Sequence, residues 1–169
     1  ALLGRGLGRA ENAIDPTAAV DEISVYVDKK AGPRMAAYRA LALALAHQSL
    51  QNFDLAKKSL VEASEGKGPT EPRFLARVAF AHFLAGNLAE AARARAGITW
   101  YGKDKAEDDP KVLLVDTGLL LASGLPQRAL DVGGKLDGVP ALLLRAQSYL
   151  DLGKAKEALE AAEAAAKLA

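Results

Sequence analysis

His47 and His82 are the only imidazoles in the chain, and they are the first side chains to weigh for metal binding or acid–base chemistry. A zinc site needs three or four ligands, yet no carboxylate or third histidine recurs beside this pair. The chain has no cysteine, which removes disulfides, thiol nucleophiles and thiolate-bound metals. No histidine is clustered with Asp, Glu or Ser, so both read as packing groups, and neither catalysis, a metal nor a cofactor is expected. The segment Gly4-Arg5-Gly6-Leu7-Gly8-Arg9 has the glycine density of a phosphate loop. It lacks the preceding strand and the Lys-Ser/Thr ending, so it reads as a frayed or truncated helix. Glu65-Gly66-Lys67-Gly68 fails for the same reasons and reads as a loop. Trp100-Tyr101, beside the charged stretch Lys103–Asp109, either anchors a partner or caps a helix end. The cap is favoured because aromatic rings bury large areas.

Composition narrows the elements that must position these residues. Half of the 169 residues are apolar, enough to bury a sizeable core, and 36 are alanine. Alanine has the best helix propensity and lets helices approach closely, so the composition favours packed helices over a sheet. Lys and Arg total 22 against 21 Asp and Glu, a balance unlike the basic footprint of a nucleic-acid binder. No apolar run is long enough to span a membrane; Arg39 and His47 bracket the apolar stretch 41–46. No signal peptide is visible, but the chain begins with Ala rather than Met and reads as an excised piece of a longer protein, from which targeting signals could have been removed. Its alanine and arginine content suggests a bacterial source, in either the cytoplasm or the periplasm.

Proline and glycine punctuate the helices. Pro16, Pro33, Pro72, Pro110, Pro126 and Pro140 each precede an apolar run with helical spacing, and proline suits the first turn, where its missing N–H goes unused. Only Pro69 falls in a loop. Asp15 and Asp109 are N-cap candidates, as are Asn52 and Asn87. The predicted helices cover 17–30, 33–50, 53–65, 71–85, 88–98, 110–123, 126–136, 139–152 and 154–168, with a further one at about 2–13. Tight joints at Gln51-Asn52, Gly86-Asn87, Gly124-Leu125 and Gly153 alternate with longer polar ones at 65–70 and 102–109. That alternation predicts a stack of antiparallel helical hairpins.

Four hairpins superpose in register. Each has a small residue (Ala44, Ala79, Thr117, Ala146) seven positions before a turn residue (Gln51, Gly86, Gly124, Gly153), and an alanine (Ala56, Ala91, Ala129, Ala158) five after it. Small side chains let paired helices sit close, and the turn needs a residue that tolerates a left-handed backbone. The second-helix alanines recur at intervals of 35, 38 and 29 residues, periods that mark helical solenoids.

This pattern resembles the tetratricopeptide repeat family over about residues 34–169. The small residues and the alanines fall on the family's small first-helix position and its second-helix alanine. Tyr149 matches its first-helix aromatic, where His47, His82 and Leu120 depart from it, and Phe53 matches the aromatic that opens the second helix. Pro69 and Pro140 approximate its closing proline, and none of the four repeats fills its leading tryptophan position. The resemblance implies an all-α solenoid of stacked hairpins at 34–68, 71–101, 110–138 and 139–169, within one repeat domain. Residues 1–33 hold either a degenerate hairpin with Ala19 in the alanine position or the tail of an upstream repeat. The last helix is either a polar cap or a cut edge.

In the family's geometry the first helices line a concave groove. The residues expected there are Tyr38, Leu41 and Leu45; then Arg73, Ala76, Phe80 and Phe83; then Lys111, Leu114 and Leu121; then Leu143, Gln147 and Leu150. Those places are mostly apolar, so the resemblance implies no carboxylate clamp. It implies a scaffold that holds an amphipathic helix or an apolar extended segment of a protein partner. The alternatives are a self-associating module, a homo-oligomer included, and an RNA-binding repeat, which the near-neutral charge disfavours.

Overall fold

The structure, a computed structural model, describes residues 2–12, 14–25, 32–64, 69–98 and 109–169, the side chains of residues 2–4 and 11 excepted. The motif Glu65-Gly66-Lys67-Gly68, the pair Trp100-Tyr101 and the charged stretch to residue 108 lie outside the described residues. Among the described residues every regular element is an α-helix. Two compact units result, residues 1–98 and 99–169.

The first unit contains α1 (Leu2–Glu11), α2 (Pro16–Val25), α3 (Pro33–Ser49), α4 (Phe53–Ser64), α5 (Pro72–Leu84) and α6 (Leu88–Ala96). The second contains α7 (Pro110–Ala122), α8 (Pro126–Gly133), α9 (Val139–Asp151) and α10 (Ala155–Leu168). Proline opens α2, α3, α5, α7 and α8 and is the second residue of α9. Helix α8 stops at Gly133 rather than 136, and α6 stops before Gly97 rather than at 98. Glycine is a poor helix former, and both ends fall on one. Asp109 Oδ1 accepts the Lys111 backbone N–H at 2.9 Å and Asp15 Oδ1 that of Ala18 at 3.1 Å. Asn87 does not cap through its side chain. Its backbone, at ψ 68°, departs from the extended conformation that aims a cap oxygen at the first turn.

The four predicted turns are one structure repeated. Gln51, Gly86, Gly124 and Gly153 all have left-handed backbones, with φ of 58°, 75°, 73° and 72°. At each, the next residue's N–H reaches back five positions: Asn52 to His47 O, Asn87 to His82 O, Leu125 to Leu120 O and Lys154 to Tyr149 O, at 2.8–3.0 Å. The turn residue itself donates three positions back, at 2.9–3.1 Å. These paired bonds satisfy the last carbonyls of each first helix in a Schellman arrangement. The N–H of Ala56, Ala91, Ala129 and Ala158 then makes the first bond of each second helix. All eight repeat positions are buried.

Helices α1 and α2 form a fifth hairpin. Ile14 N–H reaches back five residues to Arg9 O, Ala19 is the fourth residue of α2 as in the other second helices, and Ala19 is fully buried. The small position, three before the accepting carbonyl, is then Gly6, which lies within α1 rather than in a phosphate loop. A Cβ there would stand 2.6 Å from Ile23 Cγ1 of α2, so glycine is what lets these helices close.

Within each unit the hairpins stack by one rule. Both helices of a hairpin pack on the first helix of the next: α1 and α2 on α3, α3 and α4 on α5, α7 and α8 on α9. The core of the first unit runs through Ile23, Leu41, Leu45, Leu60, Phe74 and Val78 across these contacts.

Candidate functional site

The expected groove residues share one register on the first helices: six and three positions before the small residue, and one and four after it. In α3 this face is turned toward α5. The Tyr38 ring meets Phe74 edge-on at 4.8 Å between centroids, and Tyr38 donates its hydroxyl to Glu71 Oε2 at 3.3 Å. Gln48 donates to Leu84 O at 3.1 Å. Burial and the Glu71 carboxylate raise the Tyr38 pKa above its ordinary value. The Arg34–Glu71 ion pair at 2.7 Å is exposed at both ends, so the contact rests on apolar burial rather than on charge.

This corrects the groove for several of its residues. Leu41, Leu45, Ala76 and Leu114 are 0%, 4%, 1% and 8% exposed, so their surface is closed to any partner. Leu41 and Leu45 are buried because the face that carries them in α3 is the one that stacks on α5, Leu114 lies on α7, which packs on α9, and Ala76 lies on α5. Tyr38, Phe80, Phe83, Lys111 and Leu121 are half-buried, and Arg73 and Gln147 are exposed. Leu143 and Leu150 are 53% and 56% exposed.

A different concavity lies in the first unit. Helices α4 and α6 both pack on α5 but not closely on each other. Between them is a cleft of about 650 Å³, walled by Leu60 and Val61 of α4, Phe74, Leu75 and Val78 of α5, and Ala94 and Gly97 near the end of α6. It stays open because α6 presents small or charged side chains to it, Ala94 and Gly97 beside Glu90 and Arg93. Lys57 stands at its edge, and Arg93 is paired with Glu90 at 3.1 Å. A volume of this size, mostly apolar with a few polar groups, is typical of sites that hold a ligand or a short peptide segment.

Ser64 and His82 also line the cleft. Ser64 Oγ donates its one proton to Leu60 O at 2.8 Å. The 3.0 Å contact with His82 Nε2 therefore has the imidazole as donor and the hydroxyl as acceptor. A nucleophilic serine needs the opposite polarity, with the imidazole taking its proton. His82 Nδ1 is buried without a hydrogen-bond partner, as is His47 Nδ1. Burial lowers the pKa of both, with Glu90 opposing the shift at His82, so both are neutral near pH 7. Among the described residues no group of three or more His, Asp or Glu is placed to hold a metal. No described helix is long and apolar enough to cross a membrane.

This cleft is not legible in the spacing of the residues. The register of the small residues places Ser64 and His82 on facing helices, but the gap between α4 and α6 depends on which side chains fail to fill it. Comparison with known proteins finds no matching family model, no matching curated protein and no matching solved structure.

Proposed function

We propose that this chain is a helical-repeat scaffold of the tetratricopeptide kind, its hairpins stacked as an α-solenoid within each unit, which binds an apolar segment of a protein partner and catalyses nothing. The observation that carries the reading is the fourfold recurrence of one cassette: a buried small residue, a left-handed turn with the same paired hydrogen bonds, and a buried alanine. Such repeats display surface rather than build a reacting centre. The Ser64–His82 contact supports the same reading, because its proton runs the wrong way for nucleophilic chemistry.

The binding surface assigned in the first unit is the cleft between α4 and α6, since the first-helix face is spent on stacking in α3. Its chemistry suits an extended segment with two or three bulky apolar side chains and one carboxylate directed at Lys57. Panning a displayed random-peptide library on the folded chain tests this. Peptides of that composition are expected to be enriched, and to lose binding to Val61→Glu and Lys57→Glu while keeping it to Leu143→Glu. Val61 is 41% exposed, so its substitution leaves the core intact. An unenriched library, or binders indifferent to Val61→Glu, would overturn the assignment.

A further inference from the structure

Where Ser64 of α4 meets His82 of α5, both side-chain protons are already committed. Ser64 Oγ donates to Leu60 O at 2.8 Å, and His82 Nε2 donates to Ser64 Oγ at 3.0 Å. The other ring nitrogen, His82 Nδ1, is buried without a partner. In this tautomer Nδ1 is a bare acceptor. The opposite tautomer would bury an orphan N–H and set the Nε2 lone pair against an oxygen whose proton points elsewhere. A hydroxyl oxygen has two lone pairs, and His82 fills one of them. Ser64 is exposed and lines the cleft, so the second is an acceptor offered to whatever enters. His82 is 5% exposed, so little water competes for its N–H and the polarity is held. Among the charged groups that line the cleft, Lys57 is a donor, and the Glu90 carboxylate is turned to Arg93 through both oxygens at 3.1 Å.

We infer that Ser64 Oγ is a specificity-determining acceptor of the cleft, which takes one backbone N–H of a bound extended segment. The inference rests on the cleft's holding such a segment. Each residue of an extended segment other than proline brings one N–H and one carbonyl, and those that become buried need partners. Ser64 can meet an N–H but not a carbonyl or a carboxylate, because it has no proton left to give. It therefore fixes which amide of the segment faces α4. It excludes proline at that residue, which has no N–H. It also turns the segment's carboxylate away from Ser64 and toward Lys57, the donor at the edge of the cleft.

The test uses the full chain and a peptide enriched by the panning described above, with each of its backbone amides N-methylated in turn. Methylation of one amide is expected to lower affinity for the parent chain at least about tenfold, the scale of leaving a buried hydrogen-bonding group unpaired. The same methylation should cost less than about twofold on Ser64→Ala, which has no oxygen there. It should keep its full cost on Ser64→Thr, which retains the hydroxyl and its bond to Leu60 O. Urea unfolding checks that both variants fold. Should Ser64→Ala not fold, long-range proton–nitrogen correlation spectra of His82 in the parent decide the polarity directly. The expected tautomer carries its proton on Nε2. A proton on Nδ1 would make Ser64 the donor and overturn the proposal. A scan with no sensitive amide overturns it too, as do equal losses on the parent and Ser64→Ala, or sensitivity that follows a side-chain donor instead of an amide. Peptides that depend on Val61 yet ignore Ser64 would leave the cleft assignment standing and remove only the acceptor, whereas a library without binders removes both.

Discussion

Thr117 of α7 and Gly133 of α8 fit together only because Gly133 has no side chain. A Cβ at Gly133 would stand 2.5 Å from Thr117 Oγ1 and 2.6 Å from its Cγ2. Thr117 cannot swing away cheaply, since its hydroxyl donates to Leu113 O at 2.7 Å and both residues are buried. This hairpin alone among the four has threonine in place of alanine at the small position, and glycine on the partner helix supplies the missing room. Gly133→Ala gains up to about 1 kcal/mol of helix propensity. The overpacking outweighs that gain, and a net loss of about 1–2 kcal/mol is expected in urea unfolding. Thr117→Ala combined with Gly133→Ala should recover most of it. Additive losses in the double variant would mean that the pair is not coupled.

The turns give a prediction of opposite sign at equivalent sites. Gln51 holds φ 58° where its three counterparts are glycine. A left-handed backbone costs a side-chain-bearing residue about 1 kcal/mol, partly offset by the entropy glycine loses on folding. Gly86→Ala and Gly153→Ala should each lower stability by about 1 kcal/mol, with open space around each glycine leaving no steric contribution. Gln51→Gly should be neutral or stabilising by up to about 1 kcal/mol. Thermal unfolding of the three variants checks this, and destabilisation by Gln51→Gly would contradict the shared geometry.

Where a feature depends on the chain's own covalent chemistry, it was legible beforehand. Prolines at helix starts, left-handed residues at turns and alanines at close contacts act through backbone sterics, and the helices fall within a few residues of their expected bounds. The surface was less legible. Leu41, Leu45 and Leu114 read as groove residues because a stacking face and a ligand face are both apolar and lie on the same helices. Only the neighbour's position separates them. The α4–α6 cleft and the Thr117–Gly133 fit depend on which side chains meet in space, and spacing along one helix carries no such information. Gly6 was within reach, since it sits three residues before Arg9, just as Ala79 sits three before His82.

The caps separate two residues that look alike in sequence. Asp109 bonds the first turn of α7 through its side chain, whereas Asn87 makes no such bond to α6. Asp109→Ala should therefore destabilise by about 1 kcal/mol, including the loss of a negative charge at a helix N-terminus. Asn87→Ala should change stability by less than about 0.5 kcal/mol, the range of substitutions that break no specific feature. Equal losses from the two, measured by urea unfolding, would refute the distinction.

His82 makes stability depend on pH, and the sign follows from its surroundings. The ring is 5% exposed and burial holds its folded pKa below the ordinary value of about 6.5. The unfolded chain therefore takes up the proton more readily than the folded one. Stability is full above about pH 6.5 and declines as pH falls through that value toward the lower folded pKa. Glu90 opposes the shift, so Glu90→Gln should steepen the decline. His82→Phe places an aromatic ring where Tyr149 stands in the last hairpin and leaves Ser64 its bond to Leu60 O. This variant should lose less stability than the parent between neutral and mildly acidic pH, with His47 accounting for part of what remains. Urea midpoints across that interval decide the matter. Parallel declines in the parent and His82→Phe would assign the acid sensitivity to carboxylates elsewhere and remove His82 from the account.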